Sequence, residues 1–183
     1  MTKDFYRPNA YQKEINSKKT AVVLIQGTGA VRAGQWARSV CINANYELGS
    51  MLPQIDWAVN LKDYSVLVMN PNLSHDPKTK KKIPYSGGMQ EHAVFVWEKY
   101  VVNSGFKDIL LIAHSAGGGC TRAIQTQFAD TFYDQVKEIA YTDSWVIEKD
   151  QLTVEQANFM EKRAIHYVSS NAPLGAPEST GWR

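Results

Sequence analysis

Residues 108–122 read DILLIAHSAGGGCTR, and this stretch decides the fold. Ile109, Leu110, Leu111 and Ile112 form a continuous apolar run of strand length, the pattern of a central parallel strand buried on both faces. The strand ends at Ser115. Ala116, Gly117, Gly118 and Gly119 follow at once, so the backbone can turn sharply and a helix can pack close behind the serine without an intervening side chain. Cys120, Ala123, Ile124 and Phe128 then give that helix a buried stripe. Strand, tight turn bearing a hydroxyl, then helix is the physical content of a nucleophile elbow. Its usual form is G-x-S-x-G, and here Ala113 replaces the first glycine to give A-H-S-A-G.

Working outward, the same alternation continues on both sides. Ala21 to Ile25 (AVVLI) is a short β-branched strand that ends in Gln26-Gly27-Thr28-Gly29. Glycines just past a parallel strand let N–H groups face outward as an anion cradle, the geometry of an oxyanion or phosphate loop. The lysine and hydroxyl of a Walker motif are missing, and the spacing does not fit G-x-G-x-x-G, so no cofactor is expected, nor a metal ion. Arg32 to Asn45 carries Trp36, Val40, Cys41 and Ala44 at helical spacing and is predicted as a helix, with Arg32 and Arg38 read as solvated surface charge. Ser50 is a plausible N-cap for a short helix from Leu52 to Asn60, with Pro53 in its first turn. Tyr64 to Met69 is the second strand.

Pro71 to Gly88 is a polar loop whose Lys78, Lys80, Lys81 and Lys82 read as a solvated run, contact with phosphates being the other option. Met89, Ala93, Val96, Trp97 and Tyr100 mark an amphipathic helix over 89–102. Beyond the serine, Lys137 to Tyr141 is a fourth strand closed by Thr142-Asp143-Ser144. Leu152 to Lys162 is a helix starting near Gln151 or Thr153, and Arg163 to Ser169 a fifth strand. The fold expected is therefore α/β, three-layered, with a mostly parallel central sheet of about five strands. A strand order of 2-1-3-4-5 places the ligand crevice between strands 1 and 3, where the loop at 27–29 and Ser115 would meet.

Composition bounds the rest. At 183 residues and 44% apolar, residues 1–183 read as one domain with a real core, a polar lead-in over 1–19 containing the Arg7-Pro8-Asn9 turn signal, and a tail over 176–183. A net charge of +2 is too small to draw nucleic acid or a membrane surface by its field. No apolar run is long enough to span a bilayer and the N-terminus lacks a signal-peptide core, so the chain reads as soluble and unsecreted. Cys41 and Cys120 read as free thiols filling a core in a reducing compartment.

The candidate chemistry is acyl transfer. Ser115 is the nucleophile, Ala116 and Gly27 or Thr28 supply oxyanion N–H groups, and Asp143 at the end of strand 4 is the acid. A base is harder to find. His114 directly precedes the serine and points to the other side of the turn. His92 lies on a helix beside its apolar stripe, and His75 is in the loop after strand 2. His166 has the right chain order after Ser115 and Asp143 but lies within a strand.

Gly27-Thr28-Gly29 with VRAGQWAR over 31–38, then Met69-Asn70-Pro71-Asn72, the 113–118 turn, Thr142-Asp143-Ser144 and Tyr167-Val168-Ser169-Ser170 before Pro173-Leu174 resembles the Argonaute-binding-protein-two family, along nearly the whole chain from Phe5 to Gly175. Its members include cotranscriptional regulators of animals and a domain appended to some fungal histone deacetylases. The resemblance implies an α/β-hydrolase-like fold with its elbow serine at Ser115. It implies a role in small-RNA-linked silencing, splicing or chromatin regulation as an Argonaute or histone-deacetylase partner, in the cytoplasm, the nucleus or both. It also implies that Arg32, Gln35 and His114 belong to the wall of a site. Three positions depart from the family pattern. Gln26 stands where relatives often carry histidine, and His166 where they tend to have asparagine. Relatives also continue past the position of Leu174 to a histidine that would complete a triad, whereas this chain stops at Arg183, either as a shortened paralogue or because no triad was needed. Three readings follow: a regulatory or adaptor protein on a degenerate hydrolase scaffold, an active serine esterase or amidase using Ser115, or a structural component of a larger assembly.

Overall fold

The computed structural model describes residues 18–146 and 151–177. Of the lead-in expected over 1–19, residues 1–17 with the Arg7-Pro8-Asn9 turn signal lie outside them, as do the last residues of the tail from 178. Five parallel strands, β1 (Thr20–Ile25), β2 (Ser65–Val68), β3 (Asp108–His114), β4 (Val136–Thr142) and β5 (Ala164–Tyr167), form one sheet in the order β2-β1-β3-β4-β5. This is the expected order, with β1 and β3 side by side at the centre. In register, Val23 lies between Leu67 and Leu111.

Among the described residues, seven α-helices accompany the strands: α1 (Arg38–Asn43), α2 (Tyr46–Gly49), α3 (Leu52–Asp56), α4 (Met89–Trp97), α5 (Gly117–Gln127), α6 (Ala129–Gln135) and α7 (Val154–Arg163). Because side chains alternate along a strand, the two faces of the sheet build separate cores. Val23, Ile25, Ile109, Leu111 and Ala113 pack with Trp97, Cys120, Ile124, Phe132 and Met160 on one side. Val22 and Leu24 pack with Met51, Ala58 and Trp36 on the other. The result is a three-layer α/β architecture, α/β-hydrolase-like in carrying a serine turn between a central strand and the helix behind it.

Several boundaries differ from the sequence reading, each for a local reason. β1 is buried along both faces from Ala21 on, but β3 alternates: Ile109, Leu111 and Ala113 are buried while Leu110, Ile112 and His114 are partly open. The continuous apolar run therefore overstated the cover on one side. Next to it on that face stand Ala140 and then Ile165, which is 48% exposed.

The predicted helix over 32–45 is a helix only from Arg38 to Asn43. Gly34 takes a φ of +87°, a conformation a helix cannot continue through, and Gln35 bridges to Ser50 instead. No α1 residue is buried, and Cys41 is half-covered against Gly49 rather than part of a core; Cys120 is fully buried.

Helices α3 and α4 each run on into a π-helical turn, Trp57–Leu61 and Glu98–Val102. A π turn inserts one extra residue, which rotates the apolar stripe by one position. Val101 is accordingly buried, and Tyr100, expected in the stripe, is 51% exposed. Thr153 caps α7 through a capping box with Gln156, as the start near Gln151 or Thr153 anticipated. Helix α6 has no counterpart in the sequence reading. Among the described residues no helix is long and apolar enough to cross a membrane.

Candidate functional site

Ser115 sits at the carboxyl end of β3 with a φ of +52°, left-handed for a residue with a side chain, and α5 begins two residues later. Such a conformation persists only when its surroundings hold it, and here they are specific. Ser115 N donates to Thr142 O (3.0 Å). Ser115 O accepts from Ser144 Oγ (2.8 Å), Trp145 N (3.0 Å) and Gly118 N (3.2 Å). The loop after β4 is therefore latched onto the serine turn.

Glycines let the neighbouring chain close in. A Cβ on Gly117 would lie 2.6 Å from Ile25 O, and one on Gly118 would collide with Trp145 O. From the β1 side, a Cβ on Gly27 would lie 2.8 Å from Ser115 Cβ. The 27–29 bend and Ser115 are thus neighbours at one edge of the sheet.

The 26–34 loop is tied down from β2. Asn72 Nδ2 donates to Gly27 O (2.8 Å), and Gln26 Nε2 donates to Val31 O (3.3 Å) and reaches Asn70 Oδ1 (3.5 Å). Gln26 is fully buried, and its Oε1 finds no partner among the described residues. The N–H groups of Gly27, Thr28 and Ala116 donate to no described backbone carbonyl.

Three of the four histidines hold backbone groups. His92 Nε2 accepts from Asn70 N (3.1 Å), so its proton is on Nδ1, facing Ser86 Oγ (3.1 Å), which in turn donates to Leu73 O. Burial holds this ring's pKa below its ordinary value. His166 Nε2 accepts from Ser144 N (3.1 Å), and its Nδ1 is buried without a partner among the described residues. Burial lowers its pKa, and the charge of Asp143 opposes that shift.

His114 Nδ1 donates to Thr142 O (2.9 Å), and its ring meets Trp36 edge-on at 6.3 Å. His75 is exposed and reaches Ser74 Oγ (3.0 Å). No described imidazole is hydrogen-bonded to Ser115. Asp143 is exposed, with φ +42°, and its Oδ1 accepts from Ser169 N (2.6 Å) rather than from a histidine.

Of the residues expected in the site wall, Gln35 closes its own turn, its Oε1 accepting from Arg32 N (3.1 Å), and His114 lies under Trp36. Arg32 lines a cleft of about 240 Å³ with Arg38, Asn70, Asn72, Leu73 and the chain at 29–31. Sequence reasoning did not find the Ser144 and Trp145 latch, the anchoring by Asn72, or the structural work of His92. The Asn-Pro-Asn run at 70–72, read only as part of a family signature, was the available signal for the second. No group of three or more potential metal ligands occurs among the described residues.

Comparison with known proteins bears on what this arrangement belongs to. A FAM172 family protein homolog of Caenorhabditis elegans is 41% identical over 131 residues, covering 70% of this chain and 40% of that protein. The cotranscriptional regulator ARB2A homolog of Dictyostelium discoideum is 32% identical, covering 67% of this chain and 40% of that protein. Human cotranscriptional regulator ARB2A is 27% identical, covering 87% and 50%. The chain thus spans about half or less of the length of these relatives. Among solved structures, a lipase-esterase related protein of Clostridium acetobutylicum is similar at a TM-score of 0.40 and 14% identity, covering 76% of this chain and 47% of that one. The Arb2 domain family model matches residues 73–174, more than half of the sequence and including β3, the serine turn, α5 and β4. The chain belongs to the Arb2 domain family.

Proposed function

We propose that this chain is a regulatory or adaptor protein on a serine-hydrolase scaffold, acting through protein contacts in cotranscriptional, small-RNA or chromatin-linked regulation, in the nucleus, the cytoplasm or both. The observation that carries the reading is that no described imidazole is hydrogen-bonded to Ser115. A serine hydroxyl is a weak nucleophile without a base. His92, His114 and His166 spend a ring nitrogen on backbone groups, and Asp143 spends its Oδ1 on Ser169 N. Fold does not confer activity by itself. In this reading the turn is a kept scaffold feature, and the partner is a protein complex of the Argonaute or histone-deacetylase type. The names of the relatives as cotranscriptional regulators support the regulatory sense.

A second reading, an active esterase or amidase, is favoured by one observation. Ser115 has a positive φ at the end of β3, and the Ala116, Gly27 and Thr28 N–H groups, which this reading takes as the oxyanion hole, donate to no described backbone carbonyl. In it Ser115 is the nucleophile and Asp143 the acid. The third reading, a structural component of an assembly, takes its support from the open row next to Ile112, where Ile165 is 48% exposed and Tyr167 58%. Incubation of the whole chain with a fluorophosphonate probe separates these. The adaptor reading expects wild type and Ser115→Ala to label equally weakly. Stoichiometric labelling that disappears in Ser115→Ala would overturn it in favour of the second.

A further inference from the structure

The cleft beside the 27–34 loop carries two positive charges to which the serine chemistry gives no task. Arg32 and Arg38 both line it and both are exposed. Neither has an acidic partner among the described residues, where the ion pairs are Lys18 with Asp63 and Lys137 with Asp108. The rest of the lining is neutral: two amides and small or aliphatic residues, with no carboxylate. Two like charges held on one concave wall without a counter-charge repel each other, and an anion seated between them relieves this.

Two amides line the same cleft. Asn72 is fixed through its Nδ2 to Gly27 O (2.8 Å). Asn70 accepts from Gln26 through Oδ1 (3.5 Å), which leaves its own Nδ2 as a donor. Asn70 is further pinned by the bond from its N–H to His92 (3.1 Å).

Charge and size narrow the class. Two guanidiniums balance a dianion, whereas a carboxylate would leave one positive charge over. Forked N–H donors match phosphate oxygens in geometry as well as in sign. At about 240 Å³ the cleft is below the range of pockets that enclose a drug-sized ligand. It has room for a phosphate and the few atoms next to it, so the sugar and base of a nucleotide held by its phosphate would lie outside it. We propose that Arg32 and Arg38, with Asn70, form a binding site for a dianionic phosphate group, free or carried end-on as a monoester. The site stands whether or not Ser115 reacts.

The test is calorimetric titration of the whole chain at constant ionic strength with inorganic phosphate, O-phosphoserine, adenosine monophosphate and acetate. The expected result is saturable binding of the phosphate compounds, at least about tenfold tighter than acetate. Arg32→Gln and Arg38→Gln should each weaken it about tenfold, while the paired change Lys80→Gln and Lys82→Gln in the lysine loop leaves it unaltered. Arg→Lys at either position should restore only part of the loss, because the charge returns without the fork. Affinity should also fall below about pH 6, where the monoester becomes a monoanion. Phosphoserine binding more tightly than free phosphate identifies a phosphorylated side chain as the source, and equal binding a free anion; both support the class. Acetate binding as well as phosphate, or arginine variants that bind like wild type with unchanged melting curves, would overturn the proposal.

Discussion

A Cβ on Gly27 would stand 2.8 Å from the Cβ of Ser115 and 3.3 Å from its Oγ, so the end of β1 rests directly on the serine turn. Carbon atoms do not approach that closely. Gly27→Ala therefore has to push the turn away or displace its own loop, and His114 O at 3.3 Å closes off one direction of escape. The expected cost is about 1–3 kcal/mol in urea unfolding, the range for overpacking a tight site. A melting curve identical to wild type would mean that loop and turn are not in contact.

Gly118 and Gly119 are neighbours in one helix yet should respond oppositely to the same change. A Cβ at Gly118 runs into Trp145 O and comes to 2.6 Å of Ser144 Oγ, the two groups that latch the β4 loop to Ser115. At Gly119 the nearest atoms are Gln90 Nε2 at 3.6 Å and Trp145 Cε3 at 3.9 Å, ordinary contacts. Gly119→Ala should stabilise by about 0.5–1 kcal/mol, because alanine loses less entropy in a helix. Gly118→Ala should destabilise by about 2 kcal/mol or more, through overpacking and the loss of latch bonds. Denaturant midpoints of the two variants decide it, and equal shifts of the same sign would contradict this geometry.

That latch marks the limit of what the chain discloses as a string. The strands were legible because β-branched runs such as AVVLI have few other homes, and the juxtaposition of 27–29 with Ser115 followed from strand order. Whether β3 was covered on its second face was not legible, since an apolar run says that a face can be buried and not that a helix reaches it. The 32–45 segment misled because Trp36 fits a helical period but is half-buried by packing on the Met51 side of the sheet, its Nε1 donating to Gln54 (3.2 Å), after Gly34 has already turned the chain. His92 was legible as a helix residue and illegible as an anchor, because its partner Asn70 is 22 positions away. Contacts of that kind are fixed by tertiary structure and leave no local trace.

The π turn at the end of α4 makes a prediction opposite to the helical wheel. Continuing the α period from Met89 puts Tyr100 in the core, but the inserted residue brings Val101 there instead, fully buried, and leaves Tyr100 half-exposed. Val101→Ala should cost about 2 kcal/mol from lost burial and the cavity left behind. Tyr100→Ala should cost about 0.5 kcal/mol or less, as surface changes do. Comparison of the two by chemical denaturation tests the register, and a larger loss at Tyr100 would restore the uninterrupted helix.

The buried histidines predict the direction of the pH dependence of stability. His92 and His166 each use Nε2 to accept from a backbone N–H, at Asn70 and Ser144, and a proton added there would face another donor. Burial lowers both pKa values below the ordinary 6.5, with Asp143 working against the shift at His166. In the unfolded chain both rings titrate near the ordinary value. Below it the unfolded state takes up protons that the folded state refuses. Stability is therefore fully present above about pH 6.5 and is lost as pH falls from there toward the folded values. The melting temperature should drop between about pH 7.5 and about pH 5.5, reversibly. His92→Gln should lower the melting temperature at the upper pH, because Asn70 loses its partner, yet flatten the slope, because one of the two titrating rings is gone. A slope unchanged by that substitution would assign the pH dependence to other groups and leave the ring at His92 without the role its hydrogen bonds describe.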